Sequence, residues 1–221
     1  MASIAVMTMA ACSSGTTTIP TAASIEEFAG STEPPVTATA VEATNVTSGT
    51  QTSIGHFDDV LVSIIVPDGW TNSSWAVIKG DPAFGLVFAE VGNTYTDSCP
   101  SVELDPPVGP TVDDLAAAWS DLPAFDATIP TDVTVDGFDG KLLEFTVPDY
   151  DENECAYGEF MLLRNPDGPD GYWAQAPNQH HQVRILDVEG TRVVIAASWY
   201  PDTSAQDRAD IDEILNSIQI G

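Results

Sequence analysis

The amino-acid composition changes abruptly near residue 56, and that change confines any packed fold to one part of the chain. Residues 13–55 are mostly Thr, Ala, Ser, Pro and Glu, with almost no aromatic side chain. Such a stretch buries too little apolar area to offset the entropy of ordering its backbone, so it reads as a disordered stalk. From Phe57 onward apolar residues recur with period two, and all five tryptophans lie at Trp70 or beyond. The folded part is therefore expected at 56–221, long enough for one domain and too short for two.

Within that region, residues 60–66 alternate as a strand and close on the turn Pro67-Asp68-Gly69. Residues 75–78 and 83–91 read as two more strands, separated by Gly80-Asp81-Pro82. Thr111 with Asp114 forms a helix-start signal, and Leu115, Ala118, Trp119 and Leu122 then follow at helical spacing between Pro110 and Pro123. Further strands are expected at 131–135 and 141–147 around Asp136-Gly137-Phe138-Asp139-Gly140, and at 158–164 and 172–176 around Asn165-Pro166-Asp167-Gly168. Residues 181–188 and 192–200 make the clearest hairpin, turning at Glu189-Gly190. Ser204 with Asp207 opens a last helix that places Ile211, Ile214 and Leu215 on one face. Many hairpin-connected strands with two helices imply α+β: an antiparallel β-sheet packed by two amphipathic helices.

The N-terminus reads as an address. An apolar run at 4–11 ends at Cys12 and gives way to Ser13-Ser14-Gly15-Thr16, the order of a signal peptide and a polar mature start. Met9-Ala10-Ala11-Cys12 resembles the bacterial lipobox, and the resemblance implies a lipid-bearing Cys12 at the end of a truncated signal peptide, residues 1–12. A short buried segment with an incidental cysteine is the competing reading. No Lys or Arg precedes Lys79, so the basic region of such a signal is missing and the true start is expected upstream. The run falls well short of the ~20 apolar residues that span a bilayer, as does every other segment. The expected location is extracytoplasmic, on the outer face of the cell membrane. With Cys12 lipidated, Cys99 and Cys155 remain as a pair in an oxidising compartment and are expected to form a disulfide. A metal site built on those cysteines would need His180 and His181 as its further ligands.

Charge excludes one class of partner. Lys+Arg 6 against Asp+Glu 34 gives a formal net charge of −28, so the basic footprint that nucleic-acid binding requires is lacking. An anionic membrane would also repel this domain, which makes a lipid anchor and a spacer physically sensible. A monomer is expected.

Candidates for chemistry are few. Asp149-Tyr150-Asp151-Glu152-Asn153 begins like a calcium loop, but Glu154 stands where glycine is needed and Phe160 where the bidentate acid belongs. It reads as a solvated acidic loop, and no metal is assigned. Histidine occurs only at His56, His180 and His181, and adjacent histidines on a strand point to opposite faces. Asp187 lies on the same strand, yet no motif supplies a nucleophile, so neither a catalytic residue nor a cofactor is assigned. The best recognition surface in the sequence is Trp173, Gln175, Asn178, Gln179 and His180, an aromatic among amides beside an imidazole.

Residues 81–220 resemble an uncharacterised domain of actinobacterial envelope lipoproteins. The resemblance rests on Ala83-Phe84-Gly85-Leu86-Val87, on Asp105-Pro106-Pro107-Val108-Gly109-Pro110-Thr111, on Val133-Thr134-Val135-Asp136-Gly137 and on Ile185-Leu186-Asp187-Val188-Glu189-Gly190. Pro67-Asp68-Gly69-Trp70 and the closing Ser217-Ile218 also resemble the PsbP/Mog1-type α+β sandwich, mostly a binding scaffold. The motifs are silent about activity, and a fold does not fix a function; the leading expectation is a non-enzymatic, membrane-anchored binding or sensing domain for an envelope protein or wall component. Two alternatives stay open: an envelope hydrolase or transferase using His180, His181 and Asp187, and a carrier of a small ligand or cation.

Overall fold

A computed structural model describes residues 49–57, 60–166 and 171–221. Cys12 and most of the proposed stalk lie outside the described residues. The strands are β1 (Gly49–Phe57), β2 (Val60–Pro67), β3 (Thr71–Asn72), β4 (Ala76–Lys79), β5 (Phe84–Glu90), β6 (Asn93–Asp97) and β7 (Val102–Glu103). Helix α1 (Val112–Asp121) follows, then β8 (Thr131–Val135), β9 (Phe138–Thr146), β10 (Phe160–Arg164), β11 (Gly171–Ala174), β12 (His180–Val188) and β13 (Thr191–Trp199). Helix α2 (Ala205–Asn216) and β14 (Gln219–Ile220) complete the chain. The expected α+β class holds: the strands pair antiparallel, in sheets ordered β3-β4-β5-β13-β12-β9-β8, β11-β10-β6-β7 and β1-β2-β14.

Two tight turns set the register of the main sheet. Glu189 and Gly190 both take positive φ (53° and 93°), as do Asp136 and Gly137 (48° and 89°), which is the backbone of a two-residue hairpin loop whose twist matches its strands. The second hairpin is tighter than the sequence suggests, because Phe138, Asp139 and Gly140 already belong to β9.

Along β13 the residues Val193 to Ala197 alternate between two apolar clusters, so this strand is covered on both faces. Leu143, Phe145, Val183, Ile185 and Val194 meet Leu115, Ala116 and Trp119 of α1, with Phe160, Leu162 and Tyr172, in the first cluster. Leu86, Phe88, Leu186, Val193 and Ile195 meet Ile211 and Ile214 of α2, with Ile54, Val62 and Ile64, in the second. Both helix starts are capped as read: Thr111 Oγ1 accepts from the Asp114 N–H at 3.1 Å while Asp114 Oδ2 accepts from the Thr111 N–H at 3.0 Å, and Ser204 Oγ accepts from the Asp207 N–H at 3.1 Å.

One boundary moves. Strand β1 begins at Gly49, inside the stretch assigned to the stalk, so the domain starts earlier than residue 56. Its composition is stalk-like because an edge strand paired to β2 needs few inward anchors, here Ile54 and Phe57. Strands β3, β6, β7 and β14 also have no counterpart in the sequence reading.

Candidate functional site

The register of the β12–β13 hairpin puts His180 opposite Trp199 and His181 opposite Ser198, while β9 sets Thr146 beside His180 and Phe145 beside His181. Pleating then sends the two imidazoles to opposite faces of the sheet, as the sequence requires.

His181 is fully buried in the first core. Its ring stacks on Phe145 at 4.9 Å and 17°, and meets the edge of Tyr172 at 5.9 Å. Neither ring nitrogen has a hydrogen-bond partner among the described residues. Burial, helped by the charge of His180, pushes the pKa of His181 down to about 3, so the imidazole is neutral. Around it the polar groups are tied up. Gln179 is buried, donates from Nε2 to the Ala83 carbonyl at 3.2 Å and to Ser198 Oγ at 3.1 Å, and accepts from the Gln175 N–H at 2.9 Å. Burial raises the phenol pKa of Tyr172, and that of Tyr200 to about 12, so both stay protonated.

On the other face His180 is partly exposed. Its Nδ1 lies 3.1 Å from Thr146 Oγ1 and its Nε2 lies 3.6 Å from Glu144. The ring sits 4.4 Å from Trp199, and the Arg208 guanidinium of α2 lies 3.3 Å over that indole. Partial burial lowers the pKa of His180, Glu144 pulls it back up, and Arg208 pushes it down again. Gln182 Nε2 donates to Glu144 at 2.6 Å. Arg184, two residues further along, has one buried guanidinium nitrogen with no hydrogen-bond partner among the described residues, and it is attracted electrostatically by Asp212 and Glu144.

This placement corrects two expectations. The composite site of His180, His181 and Asp187 does not form, because His181 is in the core, His180 faces away from it, and Asp187 is seven residues along β12, roughly 23 Å at the rise of a strand. Asp187 instead accepts from the Gly190 N–H at 2.8 Å within the hairpin turn. The expected recognition surface also divides: Gln179 is an interior strut, and His180 lies on the face of β12 opposite Tyr172. Trp173 is partly exposed, Gln175 is exposed and donates to the Trp173 carbonyl, and Asn178 is exposed and donates to Asp149 at 3.1 Å.

Trp199 and Glu144 are neighbours of His180 that residue-by-residue inspection misses. The turn at Glu189-Gly190 could have revealed Trp199, since a two-residue loop after Val188 fixes the pairing of every residue up the hairpin. Cys99 and Cys155 are joined in a disulfide, as the cysteine count implies, and the Ala156 N–H donates to the Cys99 carbonyl at 2.6 Å. In the acidic loop Asp151 accepts from both the backbone and the side-chain amide of Asn153. No group of three or more His, Cys, Asp or Glu among the described residues is placed to hold a metal ion. No helix among them is long and apolar enough to cross a membrane.

The chain matches no protein-family model and no curated protein. Solved structures similar to it include two at low identity. One is the solution structure of cyanobacterial PsbP (CyanoP) from Synechocystis sp. PCC 6803, at 13% identity and a TM-score of 0.40, covering 81% of this chain and 96% of that one. The other is the crystal structure of LpqN, involved in cell envelope biogenesis of Mycobacterium tuberculosis, at 13% identity and a TM-score of 0.40, covering 77% of this chain and 90% of that one.

Proposed function

We propose that this chain is an extracytoplasmic lipoprotein, anchored through Cys12, whose folded domain is a non-enzymatic binding module for an envelope protein or a wall component. The observation that carries the reading is the Cys99–Cys155 disulfide, since such bonds persist in oxidising compartments. The architecture is read as the PsbP/Mog1 type of sandwich with amphipathic helices, supported by apolar clusters on both faces of the central sheet. Trp173, Gln175 and Asn178 are the proposed recognition residues, an aromatic on the short edge strand β11 followed by two amides beyond its end.

Metabolic labelling with an alkyne-bearing fatty acid in an exporting bacterium tests the anchor. Wild type should carry label and fractionate with membranes, and Cys12→Ala should do neither. A photo-crosslinking residue at Gln175 should then capture one defined envelope component. Unlabelled, cytoplasmic wild type with Cys99 and Cys155 reduced would overturn the proposal.

A further inference from the structure

Among the described residues three sheets end in six edges, and an open edge invites pairing with another chain unless something blunts it. Strands β3, β7 and β14 are two residues long, too short to template a partner. Strand β11 has four residues, and the Gln175 side chain donates to its Trp173 carbonyl. Strand β8 is guarded by Pro130 immediately before it and by Asp132 within it, ion-paired to Lys141. Strand β1 differs on each count. It is nine residues long, contains no Pro, Lys, Arg, Asp or Glu, and lies in an uncharged run from residue 43 to 57 of a chain that is 18% charged. Among the described residues it pairs with β2 alone; its register shifts between Ile54 and His56, and the regular edge open to a partner is Gly49–Ile54. Gly49, Thr50, Gln51 and Ser53 are exposed, while Ile54 and Phe57 hold the strand in the second core.

We propose that the outer edge of β1 is a docking edge, and that its occupant is an extended segment of a partner protein, uncharged over the paired residues and flanked by Lys or Arg. The inference rests on the binding-module reading above and names its partner class. In strand addition, alternate residues turn their N–H and C=O groups outward, so backbone bonds supply the contact and no side-chain pocket is needed. Charge selects the occupant. A second copy would bring another net charge of −28 to the same edge, whereas a cationic flank is attracted by the net negative charge of the chain.

The test uses the full, oxidised chain and two synthetic peptides, Lys-Thr-Val-Ser-Val-Thr-Lys and its counterpart with Glu at both ends, followed by amide hydrogen exchange. The Lys-flanked peptide should slow exchange of alternate β1 amides by about tenfold or more at saturation, and the Glu-flanked peptide should not. Gln51→Pro and Thr52→Pro supply the control, because neighbouring residues direct their N–H groups to opposite sides. One variant should lose thermal stability. The other should keep it and abolish peptide protection. Absence of protection by either peptide, or protection untouched by both prolines, overturns the proposal. So does concentration-dependent dimerisation that protects β1 without peptide, which would make a second copy the occupant. If the edge proves inert while Gln175 still crosslinks an envelope component, the docking edge falls and the binding module stands.

Discussion

His181→Phe should remove a defined share of the acid sensitivity of this domain. In the folded state burial holds the imidazole pKa at about 3, against 6.5 for the ordinary residue. The folded protein therefore refuses a proton that the unfolded chain accepts. Stability from the neutral ring is complete above pH 6.5 and is lost progressively as the pH falls from 6.5 towards 3. Each unit of pKa difference corresponds to 1.36 kcal/mol, so the whole window is worth about 5 kcal/mol, and the step from pH 7 to pH 5 about 2 kcal/mol. In a domain of this size that step moves the melting temperature by roughly 4–8 °C.

Phenylalanine keeps the aromatic stack on Phe145 but cannot be protonated. Its extra volume and its lack of unpaired nitrogens add offsets of either sign, each ~1–3 kcal/mol. Those offsets do not depend on pH, and the titration of the many carboxylates is common to both proteins. The diagnostic quantity is thus the difference between the two stability curves, read from urea unfolding at several pH values. The wild-type curve should fall relative to the variant by about 1.3 kcal/mol per pH unit between pH 6 and pH 4. Parallel curves over that range would refute the argument and show that His181 titrates in the folded protein.

Other substitutions probe the remaining framework. Replacing Cys99 and Cys155 together by Ala should cost about 4 kcal/mol, from the chain entropy of a loop whose ends are 56 residues apart, as measured by chemical denaturation. Gln179→Leu should destabilise by about 1–3 kcal/mol, because the Gln175 N–H and Ser198 Oγ lose a buried partner, and should leave partner capture at Gln175 intact; a loss of capture with unchanged stability would return Gln179 to the recognition surface. Asp210→Ala should cost a similar ~1–3 kcal/mol by orphaning the buried Trp70 indole N–H, which donates to Asp210 at 2.9 Å. In an NMR titration, Arg208→Ala should raise the pKa of His180 and Glu144→Gln should lower it, since the first removes a repelling charge and the second an attracting one.

The parts of this fold that could be read from sequence are those fixed by local chemistry. The Thr111 and Ser204 caps, the Glu189-Gly190 turn and the opposite orientations of His180 and His181 each follow from neighbouring residues and backbone geometry. What escaped was tertiary. Strand β6 is Asn-Thr-Tyr-Thr-Asp, with no apolar alternation, and its first three residues are buried, with Thr94 accepting from Trp119 and donating to the Leu162 carbonyl. Gln179 looks like a surface amide until β5 brings the Ala83 carbonyl to it. Arg208 reaches Trp199 only because α2 folds back over the sheet, a contact that no spacing in the sequence encodes.

How the few basic residues are used bears on what this surface can attract. Lys79 pairs with Asp207, Lys141 with Asp132 and Asp113, and Arg164 with Glu103. The Arg192 guanidinium donates to the backbone carbonyls of Val91, Gly109 and Thr111, tying the end of β5 to the start of α1. Arg208 lies on an indole, and Arg184 is drawn to Asp212 and Glu144. All six bases are thus engaged within the fold, while 34 acidic residues set the outward field. An anionic ligand would meet repulsion with no spare cation to answer it, whereas a cationic segment gains attraction over a Debye length of about 8 Å at physiological salt. The Lys-flanked peptide should therefore associate more slowly as salt is raised, with a smaller change in its dissociation rate. If salt changes only the dissociation rate, the attraction arises from local contacts at β1 and not from the acidic field.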